Sequence, residues 1–372
     1  MIMHNALDKL TIHGFKSIKE LENFELKNLN VFVGANGAGK SNLISFFKML
    51  HKLMDGDLAG YVRDNGGISN ILYNGRKATE NMRFEMYFGI RGYMFTINPT
   101  TENGAALSNE ARFYGLRNSG WWSLGSSNDY FSELVKEIKN KVRDSKYSKP
   151  VYDAIMSWKI YHFHDTSSTA PMRDGRNIED KEALRSDASN IAPFLFHLRE
   201  KYNAEYQNIL NACQVIMPYL KDFLLKEMTY RGGKETHVNL SWRTKDSDFP
   251  MQPYHLSDGS IRFICLATAL LQPNLPSTLI IDEPELGLHP EAVRILGELI
   301  NSAAKRTQII IATQSPLLID QFNIDDIVVV NRKDDQSVFE RLNKEDFDKW
   351  LEEYSVGELW EKNVIQGGVC HE

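Results

Sequence analysis

The sequence predicts an α/β fold: a mixed, largely parallel sheet, an N-terminal antiparallel β subdomain and a short helical lobe. Three observations carry that prediction. At "NVFVGANGAGKSNL", residues 30–43, an apolar strand runs directly into a glycine-rich loop and then a helix. Two further apolar runs, "STLIIDEP" and "QIIIATQ", flank a helical segment, as buried parallel strands joined by a crossover helix require. Short alternating segments fill the N-terminal region, the pattern of half-buried strands.

In chain order, "KLTIHGF" alternates apolar and polar positions, followed by "LENFEL" and the more apolar "NLNVFVG". Helical periodicity through Leu43, Ile44, Phe47 and Leu50 places an amphipathic helix after the loop. Residues 60–98 read as turns at "NGG" and "NGR" around the strands "FEMYFGI" and "YMFTI". The Asn-, Gly-, Ser- and Thr-rich stretch 99–128 reads as a loop. Residues 129–228 are mostly helical, interrupted by the strand "WKIYHF" and the loop "HDTSSTAPMRDGRN". These changes of pattern divide the chain at 1–128, 129–228 and 229–372. There is no internal repeat.

The 372 residues are 42% hydrophobic and 25% charged, an ordinary globular composition. With 43 basic and 49 acidic residues the formal net charge is −6, so any nucleic-acid contact must come from a local patch. Three scattered cysteines, Cys213, Cys265 and Cys370, form no disulfide or zinc pattern. The N-terminus lacks the apolar core of a signal peptide, and no apolar run reaches the roughly 18 residues of a membrane span. A soluble, cytoplasmic protein is the expectation.

Gly34–Ser41 fits G-x-x-x-x-G-K-[ST] at every fixed position. Glycines let backbone N–H groups wrap phosphate oxygens, and the helix that follows points its positive end at them. Gly34, Asn36, Gly37, Gly39, Lys40, Ser41 and Asn42 are the expected contacts to ATP. Lys40 reaches the β- and γ-phosphates, and Ser41 ligates Mg²⁺. "TLIIDEPELGLHP" ends a buried strand with Asp282 and Glu283. Together with the phosphate loop, Asp282 reads as the Mg²⁺ carboxylate and Glu283 as the group that orients or deprotonates the attacking water. Ser257, Asp258 and Gly259 head an apolar helix, which alone reads as a Ser/Asp cap or as an anion site.

The set resembles the ABC-type ATPase heads of the RecF/SMC group and their compact predicted-ATPase relatives. The start "LTIHGFKSIKELENFELKNLNVFVGANGAGKSN", the middle "YHFHDTS…APMR" and the end "YSVGELWEKNVI" carry the likeness across most of the chain. The resemblance implies that Ser257, Asp258 and Gly259 form the signature segment, which completes the site of a second subunit in an ATP-sandwiched homodimer. It also implies that Gln314 stands where transporters carry a switch histidine. Glutamine bonds a γ-phosphate or water but supplies no charged imidazolium, which suits slow turnover. The Mg²⁺-holding glutamine of transporters has no clear counterpart. His162, His164 or Asp165 takes that place with Arg173 facing phosphate, or the histidines are ordinary polar residues on one strand face.

Two outlying stretches complete the reading. "KEIKNKVRDSKYSK", 136–149, holds six basic and two acidic residues and reads as a solvated helix face or a DNA contact. Phe347, Trp350, Leu351 and Tyr354 form a helical stripe expected to dock on the head. The expected activity is a slow ATPase switch coupled to DNA, RNA or an effector protein, in nucleic-acid maintenance or anti-phage defence. If cleavage occurs, a separate nuclease-like subunit is expected to perform it, and no membrane is involved. Alternatives are a transporter's nucleotide-binding subunit, a regulatory ATP-binding module with negligible turnover, and an OLD-type nuclease in cis. The last would have only the short tail after "LGLHP" for its cleavage domain, and Asp325, Asp326, Asp334 and Asp335 there read as solvated turn residues.

Overall fold

The computed structural model describes residues 6–115, 120–125, 129–229 and 236–365. Cys370 lies outside these. The N-terminal part runs β1 (Lys9–Phe15), β2 (Ile18–Glu25), β3 (Leu29–Val33), α1 (Lys40–Asp55), α2 (Leu58–Asp64), β4 (Met82–Phe88), β5 (Arg91–Pro99), β6 (Ala105–Tyr114) and β7 (Gly120–Gly125). The middle holds α3 (Glu133–Lys139), α4 (Ser145–Ser157), β8 (Lys159–Tyr161), β9 (Arg176–Asn177), α5 (Ile191–Lys201), α6 (Asn203–Ile216), β10 (Leu220–Leu224) and β11 (Glu227–Thr229). Then follow β12 (Thr236–Val238), β13 (Ser241–Thr244), β14 (Ser247–Met251), α7 (Asp258–Leu271), β15 (Thr278–Asp282), α8 (Pro290–Ala304), β16 (Gln308–Thr313), α9 (Pro316–Ile319), β17 (Ile327–Lys333), β18 (Gln336–Arg341), α10 (Lys344–Leu351) and α11 (Val356–Glu361).

Two six-stranded sheets dominate. The central sheet has the order β18-β17-β3-β16-β15-β8, parallel throughout except for β18. The second, β2-β1-β4-β5-β6-β7, is wholly antiparallel. Every residue of β3 and β16 is buried, because helices and the second sheet cover both faces of the central strands. Period-two alternation then splits their side chains between two cores. Val31, Val33, Leu279, Ile281, Ile309 and Ile311 pack with α5–α8. Phe32, Ile280, Ile310 and Ala312 face α1 and the antiparallel sheet. Helix α1 buries eight apolar residues there, and Phe15, Phe46 and Phe84 interlock at centroid distances of 5.4–6.4 Å.

The middle region's four helices divide between these cores: α3 and α4 join the core shared with α1 and the antiparallel sheet, α5 and α6 the other. The expected loop 99–128 is a correction. Most of it forms β6 and β7, with 116–119 and 126–128 outside the described residues. Its polar composition misleads because the polar groups are bonded inside the fold. The buried Glu110 accepts from Tyr93 Oη at 2.8 Å, Ser132 Oγ at 2.8 Å and the Glu133 N–H at 2.8 Å. The C-terminal stripe also differs. Phe347, Leu351 and Tyr354 pack on the core, but α10 ends at Leu351 and Trp350 is turned out, 46% exposed. Of the tail aspartates expected to be solvated, Asp326 is half-buried, and burial raises its pKa.

Candidate nucleotide site

The loop between β3 and α1 is built so that its backbone, not its side chains, lines a cavity. Gly39 has φ +118°, and a Cβ there would lie 2.0 Å from Ser337 Oγ, so only glycine fits against β18. Ser337 Oγ in turn donates to the Ala38 carbonyl at 2.6 Å and contacts Ser17 Oγ, to which Asn42 Nδ2 donates at 2.6 Å. Gly37, at φ +79°, has nothing within 4 Å of where a Cβ would stand, so its backbone faces open space. The Lys40 ammonium, on a residue 6% exposed, donates to the carbonyls of Gly34 and Ala35.

Asn36, Gly37, Gly39, Lys40, Ser41 and Asn42 share this cavity, about 130 Å³, with Glu283 and Gln314. Gln314, just past the end of β16, donates from Nε2 to Asn36 Oδ1 at 2.7 Å and to Glu283 Oε1 at 2.9 Å. Glu283 follows Asp282 at the end of β15 with φ +44°, a left-handed backbone that costs a non-glycine residue on the order of 1 kcal/mol or more. Its N–H is fixed to the Ala312 carbonyl at 2.8 Å.

Electrostatically the site is a cationic loop facing clustered carboxylates. Burial lowers the Lys40 pKa, opposed by Glu283, Asp282 and Glu285. Burial raises that of Asp282, as does Glu283, opposed by His164, Lys48 and Lys40. These features fit the residues for a nucleotide's phosphates and a divalent cation: open backbone at a helix N-terminus, a buried lysine, an exposed Ser41 hydroxyl and adjacent carboxylates.

Ser257, Asp258 and Gly259 do not line this cavity. Ser257 Oγ caps α7 by accepting from the Ser260 N–H at 3.1 Å, and a Cβ on Gly259 would lie 2.7 Å from the Gly287 carbonyl. Arg173 is a further correction. It is buried and donates to the carbonyls of Thr166, Pro253 and Leu256 and to Asp258 Oδ1 at 2.8 Å, so it holds the start of α7 and does not face phosphate. Arg262 of α7 likewise donates to the carbonyls of Phe163, His164 and Leu286.

His162 and His164 can bring ring nitrogens within 4.8 Å of each other and of an Asp282 oxygen. His164 Nε2 also lies 3.0 Å from the Asp282 carbonyl, while Asp165 is turned to solvent and bonds Ser167. Glu285 is a residue that motif reading passed over. It accepts from Thr313 Oγ1 and from the Gln314 N–H at 3.3 Å, so it positions the strand end that carries Gln314. Its place as the third acidic residue of "DEPE" was the available signal.

A search of curated proteins finds no match to the chain. Among solved structures it is similar to an Smc head bound to the C-terminal winged-helix domain of ScpA, with TM-score 0.57 and 18% identity over 92% of this chain and 99% of that one. It is also similar to the Pyrococcus furiosus Smc head domain with an extended coiled coil bound to the C-terminal domain of ScpA. There the TM-score is 0.54 at 15% identity, covering 94% of this chain and 99% of that one. At these identities the likeness shows the fold alone, that of an Smc head domain. Residues 29–320 match the family described as "AAA domain, putative AbiEii toxin, Type IV TA system", and the chain belongs to that family.

Proposed function

We propose that the chain binds and slowly hydrolyses MgATP, engages a second copy across the nucleotide, and transmits that state to nucleic acid or an effector protein. The observation that carries the reading is the Asn36–Gln314–Glu283 hydrogen-bond chain, which joins the phosphate loop to the carboxylate strand across one cavity. Lys40 and the α1 N-terminus bind phosphate charge. Ser41 and Asp282 would hold Mg²⁺, which would supply positive charge against the phosphates. Glu283 orients the attacking water and takes its proton, and Gln314 fixes the Glu283 carboxylate and reaches the γ-phosphate. Turnover is slow because an amide cannot supply positive charge at that point.

Ser257, Asp258 and Gly259, outside their own chain's cavity, are placed in this reading against the nucleotide of a partner copy. The exposed Lys139, Lys141, Arg143 and Lys146 are the candidate contacts to DNA or RNA. A cytoplasmic anti-phage setting, with cleavage by a separate nuclease-like subunit, is compatible with the family. No helix among the described residues is long and apolar enough to cross a membrane.

The test separates binding from chemistry. Lys40→Ala loses ATP affinity by at least tenfold, whereas Glu283→Gln retains it and loses hydrolysis by about a hundredfold or more. Equilibrium binding and phosphate release on the two purified variants check both. Wild-type turnover by Glu283→Gln removes the assigned base.

A further inference from the structure

A larger cavity, about 530 Å³, shares α1 with the nucleotide cavity as a wall but has no lining residue in common with it. Its wall is made by α1, Tyr61, the Trp158–His162 segment and residues 183–186. Six basic side chains line it and no carboxylate does, although an Asp282 oxygen lies within 4.8 Å of a His162 ring nitrogen and burial takes the His162 pKa down to about 4. Two of the six are neutralised, Lys52 by Asp57 at 2.8 Å and Arg185 by Asp180 at 2.9 Å. Lys48 and Lys159 are half-buried and have no ion pair or hydrogen bond among the described residues.

Hydrogen-bonding capacity is unfilled at the same place. Trp158 is 1% exposed, its ring fixed by Phe47 at 5.2 Å and Phe88 at 6.2 Å, and its buried Nε1–H has no acceptor. His162 Nε2 is likewise buried and without a partner. Leaving such a group unpaired costs about 1–3 kcal/mol, so a satisfied arrangement needs a polar occupant. Burial, and then Lys159, lower the His51 pKa, opposed by Asp55. The remaining wall, Tyr61, Ile160 and Leu184, is apolar. The volume falls in the range of small-ligand sites and exceeds what a bare phosphate fills.

We propose that this cavity is a second ligand site, separate from the phosphate loop, for a small organic phosphate of mononucleotide size. Lys48, Lys159 and His162 take the phosphate, Trp158 Nε1 donates to an oxygen, and the apolar wall covers the organic part. Lys48 lies about two turns along α1 from Lys40 and acts electrostatically on Asp282. An anion bound to Lys48 therefore alters the charge balance at the carboxylate end of the nucleotide site, which makes the second site a regulator of the first.

AMP is the probe, titrated calorimetrically into the full-length chain carrying Lys40→Ala, so that the phosphate loop contributes little. We expect one AMP per chain, binding at least tenfold tighter than inorganic phosphate. Adding Lys48→Gln and Lys159→Gln weakens AMP at least tenfold, while Lys344→Gln with Lys349→Gln, exposed and far along the chain, leaves it unchanged. If the combined variant does not fold, each glutamine change alone and the AMP-induced change in tryptophan fluorescence, abolished by Trp158→Phe, decide instead. AMP binding that is absent, indifferent to Lys48 and Lys159, or no tighter than phosphate overturns the proposal. So does a 5′-phosphorylated oligonucleotide that binds through these lysines where AMP does not, which would make the cavity a nucleic-acid end site. ATP binding by the unsubstituted chain is measured in parallel, so this proposal and the ATPase reading fail separately.

Discussion

Glu285 has one carboxylate oxygen bonded to Thr313 and the Gln314 N–H, and the other buried without a partner. Burial raises its pKa above 4.5, with Glu283 adding to the effect. The folded state therefore holds the Glu285 proton more tightly than the unfolded chain does. That contribution to stability is full below pH 4.5 and is lost as pH rises through the native value. We expect Glu285→Gln to flatten the fall in melting temperature across that window, read from thermal melts at closely spaced pH values. An unchanged profile would mean another group titrates there. The phosphate loop and the Asp282–Glu283 pair stand out in sequence because each is a contiguous motif at the end of an apolar run. Glu285 does not, because its role depends on Thr313, twenty-eight residues away on a neighbouring strand.

At the scale of elements, α7 is fixed at its start by two arginines from different directions. Arg173 ties Asp258 and the turn before it to the 163–173 segment, and Arg262 ties α7 to that segment and to Leu286. Arg173→Ala leaves three carbonyls without this donor and should cost about 3 kcal/mol or more. If α7 acts on a partner's nucleotide, the variant keeps ATP affinity within a few-fold and loses at least tenfold in turnover. Denaturant melts, equilibrium binding and phosphate release check the three parts, and equal losses in binding and turnover would contradict the assignment. Sequence could not assign Arg173, since an arginine near a phosphate loop reads as a phosphate ligand until its donors are counted. Strand β6 was hidden for a related reason: Glu110 and its neighbours look like loop residues until their buried partners are known.

At the scale of the molecule, the reading requires each site to draw on two chains. Ser257 is exposed, so Ser257→Glu brings negative charge towards a partner's phosphates while leaving Lys40 in place. Gly259 is less suitable, because any side chain there meets the Gly287 carbonyl. Lys40→Ala and Ser257→Glu should each be nearly inactive alone. In an equal, exchanged mixture about half the dimers are mixed, and about a quarter of all sites carry neither change. Activity and ATP trapping should recover towards that fraction. With exchange verified by differently tagged chains, no recovery of trapping would make the start of α7 a plain helix cap.

The position of β3 in the central sheet bears on how the protein is made. Both strands that flank it, β16 and β17, come from the far end of the chain, with some 275 residues between Val33 and Gln308. At ribosomal rates of about 5–20 residues per second, that interval lasts on the order of 15–60 s. Throughout it, the strand that leads into the phosphate loop has neither neighbour, and five apolar or buried positions wait for cover. The antiparallel sheet can form from the first 125 residues alone, but the nucleotide cavity cannot exist on a nascent chain until Gln314 has emerged. Prematurely released chains are thus left without a nucleotide site but with an exposed sticky strand, a substrate for chaperones and proteases.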